Sequence, residues 1–262
     1  MNPAQQHIRC DISDGIATIT IDRPDKLNAL ADSMRGDLLE ILQRVDSDSA
    51  VRVITITGAG RAFCAGGDIG YLRELKSRGD EAGFVRLLDE GKAVVQLLRG
   101  SGKPAIAVVN GPAYGAGFFV AIACDLRLCG ETASFGAPFV KLGLGPDWGG
   151  TYLLPRMVGT AKALEMLFTG EGVSAQEALR IGLANRIWPD TELRQRAHEF
   201  TMTLAALPAD VLARHKRAVY QTMDGSFETT ADLERRFQLE NFRSPACAEG
   251  IAAFLEKRPP RF

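Results

Sequence analysis

Short apolar strands that alternate with glycine-rich turns and amphipathic helices are the feature that most constrains the fold of this chain. β-branched residues predict strands at residues 16–22 and 51–57, and an apolar run predicts another at 105–109. Helical spacing of apolar residues follows the first two strands, at 34–45 and at about 83–98. Strands alternating with helices indicate an α/β core.

The pattern changes near residue 155, after which helical periodicity dominates. We predict a core at residues 1–200 that carries the functional site, followed by a helical C-terminal region at 201–262. The predicted helices of the second half lie at 162–168, 175–181, 192–206, 211–223, 233–242 and 248–255.

Composition excludes several classes of protein. With 31 Lys and Arg against 32 Asp and Glu, the formal charge is −1, and the chain has no basic block, which argues against a nucleic-acid partner. The chain begins without an apolar leader and has no apolar run long enough to cross a membrane, so we expect a cytoplasmic protein. Its five cysteines show neither CxxC nor zinc spacing, and we predict no metal site and no structural disulfide.

Glycine clusters at 58–67, 111–117 and 143–150 are the candidate functional segments. In the first two, an apolar strand runs through a glycine turn toward a helix, which leaves backbone N–H groups free for an anion or a developing oxyanion. Close helix packing is the alternative explanation for such glycines. None of the clusters matches a nucleotide-binding fingerprint, and the three histidines lie in polar surroundings with no nucleophile motif.

Asp147 is the carboxylate that stands out, because Pro146, Trp148 and two glycines surround it. An apolar environment raises the pKa of a carboxyl group and suits it to act as a base near neutral pH. The same position also suits the N-cap of a following helix. Local sequence leaves both interpretations open, whereas Asp68 favours a cap or turn role.

Several segments together resemble the crotonase superfamily, also called the enoyl-CoA hydratase/isomerase superfamily, and they cover almost the whole chain in order. The segments are residues 21–30 (IDRPDKLNAL), 61–68 (RAFCAGGD), 103–111 (KPAIAVVNG), 115–117 (GAG), 135–136 (FG), 149–156 (GGTYLLPR) and 254–262 (FLEKRPPRF).

The resemblance implies a ClpP/crotonase-like α/β fold, a spiral of ββα units with a helical C-terminal trimerisation region. It implies a homotrimer or a dimer of trimers, an acyl-CoA thioester as substrate, and no cofactor apart from the coenzyme A carried by the substrate. The backbone N–H groups of Gly67 and Ala116 are implied to hold the thioester oxygen. Further residues are implied to bind substrate: Lys26, Ala29, Ala65, Asp68, Ile69, Phe119, Phe139 and Leu144.

The departures from the family pattern bear on the reaction. Hydratases of this superfamily carry two glutamates, and phenylalanines stand at those places here, Phe119 and Phe139. Asp147 coincides with the aspartate used by dienoyl-CoA isomerases and by 1,2-epoxyphenylacetyl-CoA isomerases, and the surrounding sequence resembles the latter more. 4-Chlorobenzoyl-CoA dehalogenases use an aspartate there as a nucleophile, but their accompanying Trp and His are missing from this chain.

Three hypotheses follow from this pattern. The first is an enoyl-CoA isomerase in which Asp147 moves a proton between two carbons through an enolate, in fatty-acid or aromatic-acid breakdown. The second is an enoyl-CoA hydratase, which is a lyase, or a hydrolase of a cyclic acyl-CoA, with Asp147 directing water. The third is a weakly catalytic acyl-CoA-binding subunit.

Overall fold

Residues 7–262, which a computed structural model describes, form a six-stranded sheet, a three-stranded sheet and a set of surrounding helices. The strands are β1 (Ile8–Ser13), β2 (Ile16–Ile21), β3 (Val53–Gly58), β4 (Ala105–Val109), β5 (Pro112–Tyr114), β6 (Leu126–Gly130), β7 (Ser134–Gly136), β8 (Val173–Ser174) and β9 (Arg186–Trp188). The helices are α1 (Met34–Ser47), α2 (Ile69–Arg78), α3 (Glu81–Gly100), α4 (Ala116–Ala123), α5 (Gly150–Val158), α6 (Thr160–Thr169), α7 (Ala175–Arg180), α8 (Asp190–Ala205), α9 (Ala209–Thr222), α10 (Phe227–Phe242) and α11 (Pro245–Glu256).

The larger sheet has the order β1-β2-β3-β4-β6-β9. Only the β1–β2 pair is antiparallel, and the remaining neighbours are parallel. Parallel strands need crossover connections, which α1 and α3 supply here. Strands β3 and β4 are almost entirely buried, as expected for parallel strands covered on both faces. The α/β class predicted from the sequence is therefore confirmed.

The smaller sheet, of order β5-β7-β8, lies where two glycine turns meet, the one at Gly66–Gly67 before α2 and the one at Gly115 before α4. Strand β5 leads from Gly111 into the turn before α4, and Ala113 forms an isolated parallel bridge with Cys64. The Tyr114 N–H donates to the Cys64 carbonyl at 2.9 Å. Helix α4, whose eight residues are all buried, runs from this point into the core. The sheet thus holds the turns before α2 and α4 side by side.

The C-terminal part is helical as predicted, but residue 200, where we placed the boundary, lies inside α8. Helix α8 packs on strands of the large sheet and so belongs to the core. The helices that follow the core are α9 to α11. The division at residue 200 stays a prediction. No helix in the described part of the chain is long and apolar enough to cross a membrane.

Candidate active site

A cavity of about 930 Å³ opens between the two glycine turns, the start of α3 and the segment before α5. Seven of the residues singled out from the sequence line it: Ala65, Gly67, Ile69, Ala116, Phe139, Leu144 and Asp147. The rest of its wall is mainly apolar, with Leu72, Phe84 and Leu87 from α2 and α3. An apolar cavity with a few convergent polar groups is typical of a small-molecule site.

The Gly67 N–H comes from a turn that is tied to the segment before α1. Leu30 donates to the Gly66 carbonyl at 2.7 Å and accepts from the Asp68 N–H at 2.9 Å. The Gly67 N–H between them has no acceptor among residues 7–262. Gly66 adopts φ +99°, and a Cβ there would lie 2.8 Å from the Tyr114 carbonyl oxygen, so only glycine fits this turn.

The Ala116 N–H lies at the start of α4, where helical N–H groups have no partner within the helix. Gly115 precedes it with φ +53° and donates to the Gly136 carbonyl at 2.9 Å, which fixes the direction of the turn. A Cβ on Gly66 would lie 3.4 Å from the Ala116 nitrogen, so the two turns are in contact. The described residues provide no acceptor for the Ala116 N–H either. Two free donors on one cavity wall suit a developing oxyanion.

Asp147 reaches the cavity from a tight turn ahead of α5. Its carbonyl accepts from the Gly150 N–H at 2.8 Å, and Trp148 and Gly149 between them adopt φ +49° and +70°. Positive φ is costly for Trp. Buried Trp148 packs on α3, where a Cβ on Gly91 would lie 2.3 Å from its Nε1. The packing of Trp148 thus fixes the turn that aims Asp147.

The helix-cap interpretation of Asp147 is wrong, because α5 is capped by Gly149 and no side chain bonds to its first turn. The Asp147 Oδ1 atom is buried and has no hydrogen-bond partner among the described residues. Burial raises the pKa of this carboxyl from its ordinary value of 3.8 to about 6, although the Arg35 cation opposes the shift. Such a group can both accept and return a proton near neutral pH.

Phe119 and Phe139 form a stacked pair, with ring centroids 5.4 Å apart and planes inclined by 8°. Phe139 lines the cavity beside Gly115. Phe119 is fully buried and does not line it, because it lies behind Phe139 and against Gly150. Its direct contact with substrate, implied by the resemblance, finds no support in this geometry, and what it does is support the Phe139 wall. The pair also leaves no carboxylate at either position.

Lys26, Ala29 and Asp68, the other residues implied to bind substrate, lie outside the cavity wall. Lys26 and Ala29 belong to the segment beside the Ala65 turn, where the Ala65 N–H donates to the Leu27 carbonyl at 2.9 Å. Asp68 caps α2 by accepting from the Tyr71 N–H, which confirms its cap role. It also pairs with Arg23 at 2.6 Å. Burial raises the pKa of Asp68, but the Arg23 and Tyr71 hydrogen bonds outweigh it and hold that pKa below its usual value.

Arg35 is the functional candidate that the sequence reasoning missed. It lines the cavity from α1, although only 4% of it is exposed. The sequence places it on the same face of α1 as Leu38, Leu42 and Val45. That position was the available signal of a special role, because arginine is rarely buried unless it is paired.

Comparison with known proteins decides the family. The profile described as "Enoyl-CoA hydratase/isomerase" matches residues 11–262. The chain belongs to the enoyl-CoA hydratase/isomerase family. A "Probable enoyl-CoA hydratase" of Rhodobacter capsulatus is 38% identical over 255 residues, covering 97% of both chains. The "1,2-epoxyphenylacetyl-CoA isomerase" of Escherichia coli is 36% identical over 258 residues, covering 98% of both.

A solved structure gives the same answer for the fold. The putative enoyl-CoA hydratase of Streptomyces coelicolor A3(2) superposes with a TM-score of 0.94 at 35% identity, covering all of this chain and 96% of its own. The crotonase fold predicted from the sequence is therefore confirmed. As an enoyl-CoA hydratase/isomerase family member, the chain is related to proteins named for both reactions, so the reaction is argued below from its own site.

Proposed function

We propose that this family member is an enoyl-CoA isomerase that shifts a double bond in an acyl-CoA thioester through an enolate, with Asp147 as acid and base. The observation that carries the proposal is that Asp147 is the one carboxylate among the described residues of the cavity wall. One carboxylate with a free buried oxygen suffices to move a proton between two carbons on one face of the substrate.

In this reaction, Asp147 removes a proton from the carbon next to the thioester carbonyl, and the electron pair moves onto the thioester oxygen. The Gly67 and Ala116 N–H groups stabilise the enolate there. Asp147 then returns the same proton to another carbon of the conjugated system, so atoms and charge balance. The stacked Phe119–Phe139 pair and the apolar wall keep bulk water from the enolate. The reaction requires no cofactor beyond the coenzyme A of the substrate.

The test is to incubate the purified protein with a 3-enoyl-CoA and follow the absorbance of the conjugated 2-enoyl thioester. We expect Asp147→Asn to lower kcat by about 10²–10⁴-fold, the range for loss of a general acid–base group. Asp89→Asn, which alters an exposed carboxylate of α3 outside the cavity, is the matched control. Equal rates for the wild type and Asp147→Asn would contradict the proposal.

A hydratase, or a hydrolase of a cyclic acyl-CoA, is the second candidate, and the hydratase name of the R. capsulatus relative favours it. Here Asp147 directs a water molecule instead of shuttling a proton between carbons. An assay with a 2-enoyl-CoA in water enriched in oxygen-18 separates the two, since the addition of water places the label in the product and isomerisation does not. Turnover of any acyl-CoA that depends on Asp147 eliminates a purely acyl-CoA-binding subunit.

We also propose that the chain assembles as a homotrimer or a dimer of trimers. Large apolar side chains of the C-terminal helices support this, since Phe227 is 81% exposed, Phe254 83% and Leu255 74%. Helices α10 and α11, which carry these side chains, pack on each other, and a large exposed apolar surface on a folded chain is typical of an interface.

A further inference from the structure

Arg35 is a buried cation with very few partners. It is 96% shielded from solvent, yet its single side-chain hydrogen bond within residues 7–262 is a long one, 3.3 Å from Nη1 to the Leu30 carbonyl. No carboxylate of the described chain lies within ion-pair distance of it. A guanidinium has five N–H donors, and those of Arg35 that lack a partner in the described chain open onto the cavity and are not sealed in the core. Hydrogen bonding within the described chain therefore does not account for an arginine at this position.

The place of Arg35 relative to the two reacting centres supplies a reason. Its Nη2 atom lies 3.1 Å from where a Cβ on Gly67 would be, so the guanidinium adjoins the donor of the Gly67 turn. Its cation also acts on the Asp147 carboxylate, which lines the same cavity. Arg35 therefore shares the cavity with Asp147, which carries the negative charge before proton transfer. It also adjoins the Gly67 turn, where the proposed enolate oxygen carries that charge afterwards.

We propose that Arg35 is a positioning residue that serves as the buried counter-charge for Asp147 before proton transfer and for the enolate oxygen after it. This inference rests on the proposed function. When the C–H bond breaks and the O–H bond forms on Asp147, the negative charge moves to the thioester oxygen at the Gly67 and Ala116 N–H groups. A cation that adjoins the Gly67 turn and shares the cavity with Asp147 stabilises the charge at each end of the transfer, and burial strengthens this effect.

Other charged and titratable groups face this pair, and they define the controls. Glu90 on α3, Tyr71 on α2 and Cys64 at the first glycine turn also act on Arg35. Lys92 and Lys141 line the cavity but are exposed, so solvent screens them. Arg86, exposed on α3 near Glu90 and outside the cavity, offers a matched arginine substitution.

The test is a ¹³C NMR titration of the Asp147 carboxyl in the free protein, which needs no turnover. Arg35→Gln keeps a donor for the Leu30 carbonyl but removes the charge, and we expect it to raise the titration midpoint by about one pH unit. Arg35→Lys restores most of the wild-type midpoint, and Arg86→Gln leaves it unchanged. A folded Arg35→Gln protein with the wild-type midpoint would overturn the proposal.

A second measurement uses the wild-type protein and so does not depend on the folding of any Arg35 variant. The ¹⁵Nε chemical shift of Arg35 is expected to follow pH with the midpoint of Asp147, and to lose that step in Asp147→Asn. An Arg35 signal that ignores the Asp147 titration contradicts the pairing. Failure of the isomerase assay with a normal Arg35 response would instead overturn the proposed function alone.

Discussion

At the scale of one residue, the burial that suits Asp147 to its proposed role also lowers the stability of the fold. Its carboxyl is half-buried, its Oδ1 lacks a hydrogen-bond partner in the described chain, and burial raises its pKa to about 6. A group whose pKa is higher in the folded than in the unfolded chain binds more protons when folded, so its contribution to stability falls as pH rises between the two values. Above about pH 6, the ionised carboxylate therefore destabilises the fold.

We expect Asp147→Asn to stabilise the protein by about 1–2 kcal/mol at pH 7.5, after allowance for solvent screening of a half-buried group. The advantage develops as pH rises from about 4 to 6, stays constant above that range and disappears below pH 4. Urea denaturation at pH 4 and pH 7.5 measures it, with Asp89→Asn as the exposed control. An advantage of equal size at both pH values would contradict burial as the cause.

The sequence predicts the residue types of the site better than their roles. Asp147 is conspicuous among Pro, Trp and Gly, but a cap and a base need the same local sequence. The decision lies in two positive φ angles and in a Trp148 that packs on Gly91, more than fifty residues earlier in the chain. The sequence is enough to place Arg35 on an apolar helix face. It cannot predict that Arg35 approaches Gly67, because that contact depends on how the turn before α2 packs against α1.

At the scale of elements, the start of α4 carries the second half of the proposed oxyanion hole. Ala116 is the first residue of the helix, so its N–H takes no part in the helical hydrogen bonds, and the first bond that α4 makes to its cap runs from Phe119 to the Gly115 carbonyl at 3.1 Å. Proline is well tolerated at this position because the missing N–H would have no partner in the helix. A substitution can thus delete one donor and leave the element intact.

We expect Ala116→Pro to lower kcat by about 10²–10³-fold, the range for loss of one oxyanion donor, with little change in the free energy of unfolding. Thr160→Pro is the matched control, since Thr160 begins α6 after Gly159, is exposed and is not part of the cavity wall. Steady-state kinetics and circular dichroism of both variants measure the effect. If the two proline variants keep equal activity, the Ala116 N–H has no part in the reaction.

Elements with clear periodicity were predicted well, and those that depend on tertiary contacts were not. Strand β4 and helices α1, α3 and α6 lie within a few residues of their predicted positions. Helix α5 was not predicted, because it begins with glycine and contains Pro155 and so has poor helical propensity. Strand β5 has three residues and exists through its pairing with β7, which no local pattern reveals.

At the scale of the whole molecule, the buried apolar residues are unevenly distributed along the chain. The strands and the first helices bury their apolar residues in one continuous core. The helices from α9 onward bury few residues, and Phe237 and Ala253 are the buried side chains of α10 and α11. The proposed trimer or dimer of trimers would cover the apolar side chains that these helices leave exposed.

We therefore expect light scattering during size-exclusion chromatography to give three or six times the chain mass of 28.3 kDa. Phe254→Glu should shift the mass toward that of one chain, because each covered phenylalanine contributes about 1.5–3 kcal/mol and a buried unpaired carboxylate is costly. Ile12→Glu, which alters an exposed apolar residue on the edge strand β1, is the control and should leave the mass unchanged. A wild-type protein that elutes as a single chain at micromolar concentration would contradict the assembly, and the apolar helices would then need another partner.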